Sequence, residues 1–491
     1  MTRYLVLVLL MTITVLGSEG TPISSVPSDQ TTLVTFNKDV LPILENNCQG
    51  CHRPGGIGPM ALLTYKDTRP FAKAIKTAVL TNKMPPWFAD PHVGDFRNAP
   101  KMTAADIKTL VAWADSGSKE GEASDKLAVA PEWKNGWRIQ PDVVASMPFD
   151  QAVIAKGPGE IMEYFVPNPF KEDTWVSSIE IRPGDPSVVH HVIVQIPEVS
   201  QPAKVTMALA VANTVVRDNR FSSPLQGSGG YSDIIARNIE RRTGEGVFMT
   251  MEAVYAPGSQ PLDFRYTDSA KLIKGGRPIR IEVHYTPNGN ETTDRTMVGF
   301  TLAKEPAKRQ FVMMAPEHLV DIRKPIPAGA SNYETVGELT FRQDADLAWF
   351  MPHMHLRGKD MTYRLIFPDG REQTVLNANF NFHWQLGYEL NTPIKVPKGT
   401  RMVVTAHHDN SANNALNPTP NQSVGWGEMT AQEMMLPWFG VIVDRDAKPE
   451  MIAKYKPGDL DGPFPMAGQG LPIVGGQILD FIKVISPAPA R

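Results

Sequence analysis

Cys48 and Cys51 are the two cysteines of a 491-residue chain, and they constrain it more than any other feature. No disulfide framework can staple so long a chain, so its domains must be held by their own apolar cores. A pair separated only by Gln49 and Gly50 is kept for chemistry. Length suggests about three domains at roughly 150 residues each. Composition can supply the cores, with 42% of residues hydrophobic and 21% charged. A formal net charge of -3 argues against a nucleic-acid partner, which would need a clear basic excess. The 43 prolines and 38 glycines favour short strands, turns and long loops over helical bundles.

The start of the chain reads as an address. Arg3 precedes an apolar run from Leu5 to Leu16, and the small residues Gly17, Ser18 and Gly20 follow. That run has signal-peptide length and is too short to span a bilayer. Residues 1–20 are therefore expected to be a signal peptide, the mature protein to be secreted or periplasmic, and no stable membrane span to remain. Export bears on the cysteines, since a free pair in an oxidising compartment risks forming a disulfide unless it is otherwise occupied.

Cys48-Gln49-Gly50-Cys51-His52 fits the C-x-x-C-H pattern of covalent haem attachment, in which two thiols add across the haem vinyls and the adjacent His reaches the iron. A thioredoxin-like redox pair would need a βαβ context, and a zinc half-site two more ligands nearby. The surroundings are helical instead. Phe36, Val40, Ile43 and Leu44 form one apolar stripe and Phe71, Ile75, Ala78 and Val79 another. Thr103-Ala104-Ala105-Asp106 reads as a capping box opening a helix through Leu110 and Trp113, with Gly117 as its stop. Residues 30–125 thus resemble a small cytochrome c. Met84, in Lys83-Met84-Pro85-Pro86-Trp87, is the candidate soft sixth ligand, held by two stiff prolines. Met60 is its rival.

Beyond a small, charged linker between Gly117 and Pro131, strand-like runs alternate with Pro and Gly turns. They include Val188 to Ile196, Ile279 to Tyr285, Asp346 to Met351, Tyr363 to Phe367, Arg401 to Thr405 and Pro437 to Val443. The expected fold class is a small α-helical cytochrome c-like domain followed by two antiparallel β-sandwich domains, over residues 135–305 and 310–485.

Histidine is scarce, 11 residues in all, yet five cluster in three strand-like motifs: His190-His191, His284 and His353-Met354-His355. Side chains at i and i+2 of a strand share a face, so His353 and His355 can hold one ion together. His190 and His191 point to opposite faces unless a bulge intervenes.

Four ordered motifs, His190-His191, Val283-His284-Tyr285, His353-x-His355 and Glu433-Met434-Met435, make residues 150–445 similar to the copper type II, ascorbate-dependent monooxygenases, the family of the peptidylglycine and dopamine hydroxylases. The resemblance implies two jelly-roll-like sandwiches facing each other across a cleft, each with one copper. His190, His191 and His284 would hold the electron-transfer copper. His353, His355 and Met434, with Met435 also eligible, would hold the copper where dioxygen and substrate react. One thioether among imidazoles favours Cu(I), the state that binds dioxygen.

The chain departs from the family pattern at three points. Met351 stands where the peptidylglycine enzyme has a carboxylate-binding Arg, and Trp438 where it has a Tyr; no cysteine is left for the family's disulfides. Peptide amidation is therefore not expected, and a more apolar substrate is. The expected function is an exported copper monooxygenase that hydroxylates a C–H bond of a small organic substrate with dioxygen, using two copper ions and one covalently bound haem c. Relatives draw electrons from ascorbate; here an external donor would feed the fused haem. The alternative is a non-catalytic electron-transfer or copper-binding haem protein. His383, His407 and His408 are expected to be surface or structural, His92 and His318 lack supporting neighbours, and Asp409 and Glu428 are candidate supports for metal ligands.

Overall fold

The computed structural model describes residues 33–125, 136–157, 159–198, 248–305, 307–314, 324–426 and 430–455. The expected signal peptide, His318 and Glu428 lie outside the described residues. Among them, no helix is long and apolar enough to cross a membrane.

Helix is concentrated near the start. A π-helical turn, Phe36–Val40, runs into α1 (Leu41–Asn47), followed by α2 (Tyr65–Thr68), α3 (Ala72–Leu80) and α4 (Ala104–Asp115). The capping box opens α4: the Thr103 hydroxyl accepts the Asp106 N–H at 3.1 Å, and the Asp106 carboxylate accepts the Thr103 N–H at 2.7 Å. Gly117, at φ +91°, takes the left-handed conformation that ends the run. Phe36, Val40, Leu44, Leu110 and Trp113 close a small core between these helices.

The remainder forms antiparallel sheets. The first orders β1 (Val143–Ser146), β11 (Met297–Leu302), β4 (Thr174–Arg182) and β7 (Leu262–Asp263), with β8 (Lys271–Ile273) also on β4. The second orders β3 (Glu160–Val166), β9 (Ile279–Tyr285), β5 (Val189–Glu198) and β6 (Phe248–Tyr255). The third orders β12 (Arg309–Met314), β19 (Leu436–Asp444), β14 (Ala345–His353) and β17 (Tyr388–Val396). The fourth orders β16 (Glu372–Asn379), β15 (Gly358–Ile366), β18 (Arg401–His408), β13 (Tyr333–Phe341) and β20 (Ala453–Tyr455). A ribbon of β2 (Gln151–Val153) and β10 (Thr292–Asp294) completes the set.

This architecture corrects the expected fold class of a helical cytochrome c-like domain followed by two jelly-roll-like sandwiches. Among the described residues β structure predominates, 39% strand against 14% helix, and apart from the two-stranded ribbon the strands form four sheets of four or five strands each, not two separate sandwiches. The physical reason lies in the third sheet, which is covered on both faces. All nine residues of β14 are buried. Along β12, Phe311 and Met313 enter one core while Val312 and Met314 enter the other. One core therefore draws on the first three sheets and the second on the third and fourth. A middle layer has no wet face, so its strands lose the alternation that marks a half-buried sheet.

Nor is the helical segment free-standing. Residues 87–99 dock on the β region: Ala89 bridges Ala378, Phe96 bridges Leu390, and the Arg97 N–H donates to the Glu389 carbonyl at 2.9 Å. The Arg97 guanidinium pairs with the buried Glu389 carboxylate, and Trp87 meets Tyr388 edge-on at 5.0 Å.

Candidate functional site

β5 and β9 lie side by side in the second sheet, and His191 is opposite His284. A regular pleat would send the adjacent rings of His190 and His191 to opposite faces. The ladder slips between Val189 and His191, so His190 occupies a bulge and both rings turn to the same place. The ring centroids of His190 and His191 are 5.4 Å apart, those of His190 and His284 5.2 Å, and those of His191 and His284 4.8 Å. One nitrogen from each of the three comes within 4.8 Å of the others.

His353 closes β14, and His355 lies two residues beyond the strand, in a turn rather than on a regular strand face. Their rings stand 5.3 Å apart at 89°. The two histidine sets, expected to face each other across a cleft, are in contact: the His191 and His353 rings are 5.6 Å apart and perpendicular within a few degrees, at 87°. All five imidazoles are buried.

Hydrogen bonds leave one nitrogen over on four of the five rings, and His284 has both engaged. A carbonyl only accepts, so His190 Nε2 must carry the proton it donates to the Phe382 carbonyl at 3.0 Å; its Nδ1 is buried with no partner among the described residues. His353 Nδ1 donates to Gln385 Oε1 at 2.5 Å, and the other end of that amide donates to the Phe382 carbonyl at 3.3 Å. His355 Nδ1 donates to the Gln432 carbonyl at 3.2 Å. His191 Nδ1 is buried without a partner among the described residues while its Nε2 sits 3.1 Å from His284 Nδ1, and Thr430 Oγ1 lies 3.1 Å from His284 Nε2. Oriented rings with one nitrogen anchored and one left over are what metal ligands require.

Burial keeps these rings neutral. Desolvation lowers His190 and His353 to about 4 and His284 to about 3, and it holds His191 and His355 well below the usual histidine range. A neutral imidazole has the lone pair that a protonated one has lost.

The side supporting His355 is built from Glu433, whose buried carboxylate accepts the His355 N–H at 3.0 Å and the Arg357 N–H at 2.7 Å. Burial pushes that carboxyl up to about 7. Trp438 stacks flat on His353, 5.2 Å away at 6°. Met435 is packed into the second core, whereas Met434 is half-buried, its carbonyl accepting His408 Nε2–H at 3.3 Å. Met351 belongs to the first core.

A second feature is a cavity of about 1560 Å³ between the helices and the β region, lined by Cys48, Cys51, His52, Met60 and Met84. His52 Nδ1 donates to the Met60 carbonyl at 3.2 Å, which leaves its Nε2. Gly58 lies so close that an added Cβ would sit 2.6 Å from His52 Nδ1, so only glycine lets the loop press on this ring. Burial lowers His52 and, with Cys51 beside it, pushes the Cys48 thiol up to about 12.

Among the described residues, the other histidines have different partners or face solvent. His92 and His383 are exposed, His407 pairs with Asp360, and Asp409 accepts the Ser411 N–H and hydroxyl of its own turn. The residues that orient the rings, Phe382, Gln385, Thr430, Gln432 and Glu433, have no role in the sequence reading beyond Glu433 as a motif neighbour. Only the unusual run Phe382-His383-Trp384-Gln385 offered a signal.

No family model matches the chain, and no curated protein does. Among solved structures, one of PNGF-II aligns at 10% identity over 70% of this chain and 71% of that one, with a TM-score of 0.24. One of infectious bursal disease virus, Gx strain, aligns at 6% identity over 64% and 75%, with a TM-score of 0.17. At such scores neither bears on fold or function.

Proposed function

We propose that this chain is an exported copper-dependent monooxygenase. In this reading it inserts one atom of dioxygen into a C–H bond of a small organic substrate and reduces the other to water with two protons and two electrons. Cys48, Cys51 and His52 would hold a c-type haem, which would supply electrons drawn from an external donor. The observation that carries the reading is the convergence of five buried, uncharged imidazoles from β5, β9 and the end of β14.

The donor set fits metal. Leaving a buried ring nitrogen unpaired costs about 1–3 kcal/mol, and His190 and His191 each do so. An ion held by one nitrogen from each of His190, His191 and His284 would supply such a partner. His190, His191 and His284 supply three imidazoles for one copper; His353, His355 and Met434 supply two imidazoles and a thioether for a second. With Met435 turned into the core, Met434 is the sulfur left over. Copper so bound supplies one-electron and dioxygen chemistry, and a haem on the two thiols supplies stored electrons.

The chain's own groups do the positioning. Gln385 and Gln432 fix the ring orientations of His353 and His355, Glu433 ties the His355 and Arg357 backbone together, and Trp438 covers His353. A more apolar substrate is favoured because Met351, buried in the first core, stands where the resembled family has its carboxylate-binding Arg. In the cavity, the Met60 carbonyl accepts from His52, and Met84, which comes from a separate segment, is the sulfur that would hold a haem together with His52.

Metal and haem analysis of the full chain is expected to give two coppers and one haem. A product screen with labelled dioxygen should find one labelled oxygen in product, with substrate-stimulated oxygen uptake lost in His353→Ala and Met434→Ala. Copper and haem without labelled product would put a non-catalytic electron-transfer protein in its place.

A further inference from the structure

The cavity that holds Cys48, Cys51 and His52 has a far wall made by the β region. One short stretch of that wall, between β16 and β17, also reaches the histidine cluster. Trp384, Leu386 and Gly387 line the cavity. Two residues before Trp384, the Phe382 ring lies over the His190 ring, 4.3 Å away at 26°. The Phe382 carbonyl accepts from His190 Nε2 at 3.0 Å and from Gln385 Nε2 at 3.3 Å, and Gln385 Oε1 accepts from His353 Nδ1. The loop is held firmly. Its Trp384 N–H donates to the Asn381 carbonyl at 3.0 Å, and a Cβ placed on Gly258 would meet Trp384 Cε3 at 3.1 Å and Leu386 Cδ2 at 2.8 Å.

We propose that Phe382–Leu386 is the electron bridge between the two sites, with Trp384 as the receiving ring on the cavity wall and the Phe382–His190 contact as the delivering end. The proposal rests on the reading that a haem feeds copper. One electron leaves ferrous haem iron, which becomes ferric, and reduces cupric copper to cuprous; no bond forms or breaks and no proton moves. Bonded and hydrogen-bonded atoms run without a break from Trp384 through the peptide chain to the Phe382 carbonyl and His190, and such contacts couple donor to acceptor better than open gaps. The same carbonyl, through Gln385, touches His353, so one loop contacts both histidine sets. A rival route exists: Cys51 and Tyr255 line one small cavity, and Tyr255 is opposite Val192, next to His191 on β5.

The test uses the full chain with haem and Cu(II), free of oxygen, the haem being reduced by a flash and its reoxidation followed by absorbance. Wild type is expected to reoxidise at a rate independent of protein concentration. Trp384→Leu and Phe382→Leu should slow this on the order of tenfold, and Trp384→Phe should keep most of the rate. Copper content and haem midpoint potential should not move, which separates a relay from a merely structural role. Wild-type rates in copper-loaded Phe382→Leu and Trp384→Leu overturn the bridge, as does slowing confined to Tyr255→Leu. If Trp384→Leu fails to fold, Phe382→Leu with wild-type copper content decides alone. Haem that Cu(II) does not reoxidise even in wild type overturns the parent reading, and the bridge with it.

Discussion

The chain carries two His-His pairs in strands, and they end in different chemistry. His190-His191 on β5 meets a ladder slip that folds both rings onto His284. His407-His408 on β18 pairs in step with β13, His407 opposite Glu334 and His408 opposite Tyr333. Those two rings diverge: His407 Nδ1 lies 2.6 Å from the Asp360 carboxylate, and His408 turns inward to the Met434 carbonyl. The neighbours differ as well. The acceptors that orient His190, His353 and His355 are carbonyl or amide oxygens, which leave a ring neutral, while His407 faces two carboxylates. The same dipeptide thus becomes a donor set or two separated rings, one of them bonded to a carboxylate, according to one residue of register and the groups around it.

The sharpest way to break this contrast is to count metal. His284→Ala removes the ring that both members of the first pair share, so copper content should fall by one per chain, whereas His407→Ala should leave it unchanged. Equal losses in the two variants would erase the distinction.

Next in size is the pH response of the chelated protein. Burial holds His190, His353 and His408 near 4 and His284 near 3, against an ordinary value of 6.5. With the folded values depressed, the unfolded chain takes up protons first. Stability is therefore full above about pH 6.5 and falls as pH drops toward 4, by up to about 1.4 kcal/mol per pH unit for each histidine. Copper binds the neutral rings and should carry the loss to lower pH. Urea midpoints across that window, with and without metal, give the answer; a flat profile without metal would mean that the rings are not buried as described.

How much of this could be read from the chain depends on the distance over which each feature is set. The capping box of α4 is a four-residue pattern and is found where the sequence puts it. His190, His191, His284 and His353 lie in strands, because cross-strand pairing keeps short apolar runs in place, whereas His355 falls beyond the end of β14 instead of sharing a regular strand face with His353. The convergence of His190 with His191 depends on a bulge, and no residue type in Val188-Val189-His190-His191 announces one. The layer shared by two cores was illegible for a related reason. Burial of both faces of β14 follows from what packs on them, and Ala345 to His353 reads equally well as one side of a simple sandwich. Docking of residues 87–99 escaped notice because a stretch without period looks like any loop.

The smallest expected effect separates the members of the second pair from each other. His407 and Asp360 are each about a quarter exposed, 25% and 24%, so their ion pair is screened and should contribute about 0–1 kcal/mol. His408 is fully buried, and its ring holds the carbonyl of the residue proposed to ligate copper. Truncation there opens a cavity and strips a buried acceptor of its donor, a loss of about 1–3 kcal/mol. His408→Ala should therefore lower the urea midpoint clearly more than His407→Ala. It should also weaken copper at the Met434 side while leaving the ion on His190, His191 and His284 in place, because no hydrogen bond joins His408 to those rings. Copper titration of the two variants resolves this: equal weakening at both ions would mean that His408 acts on the whole fold, and selective loss would assign it to Met434.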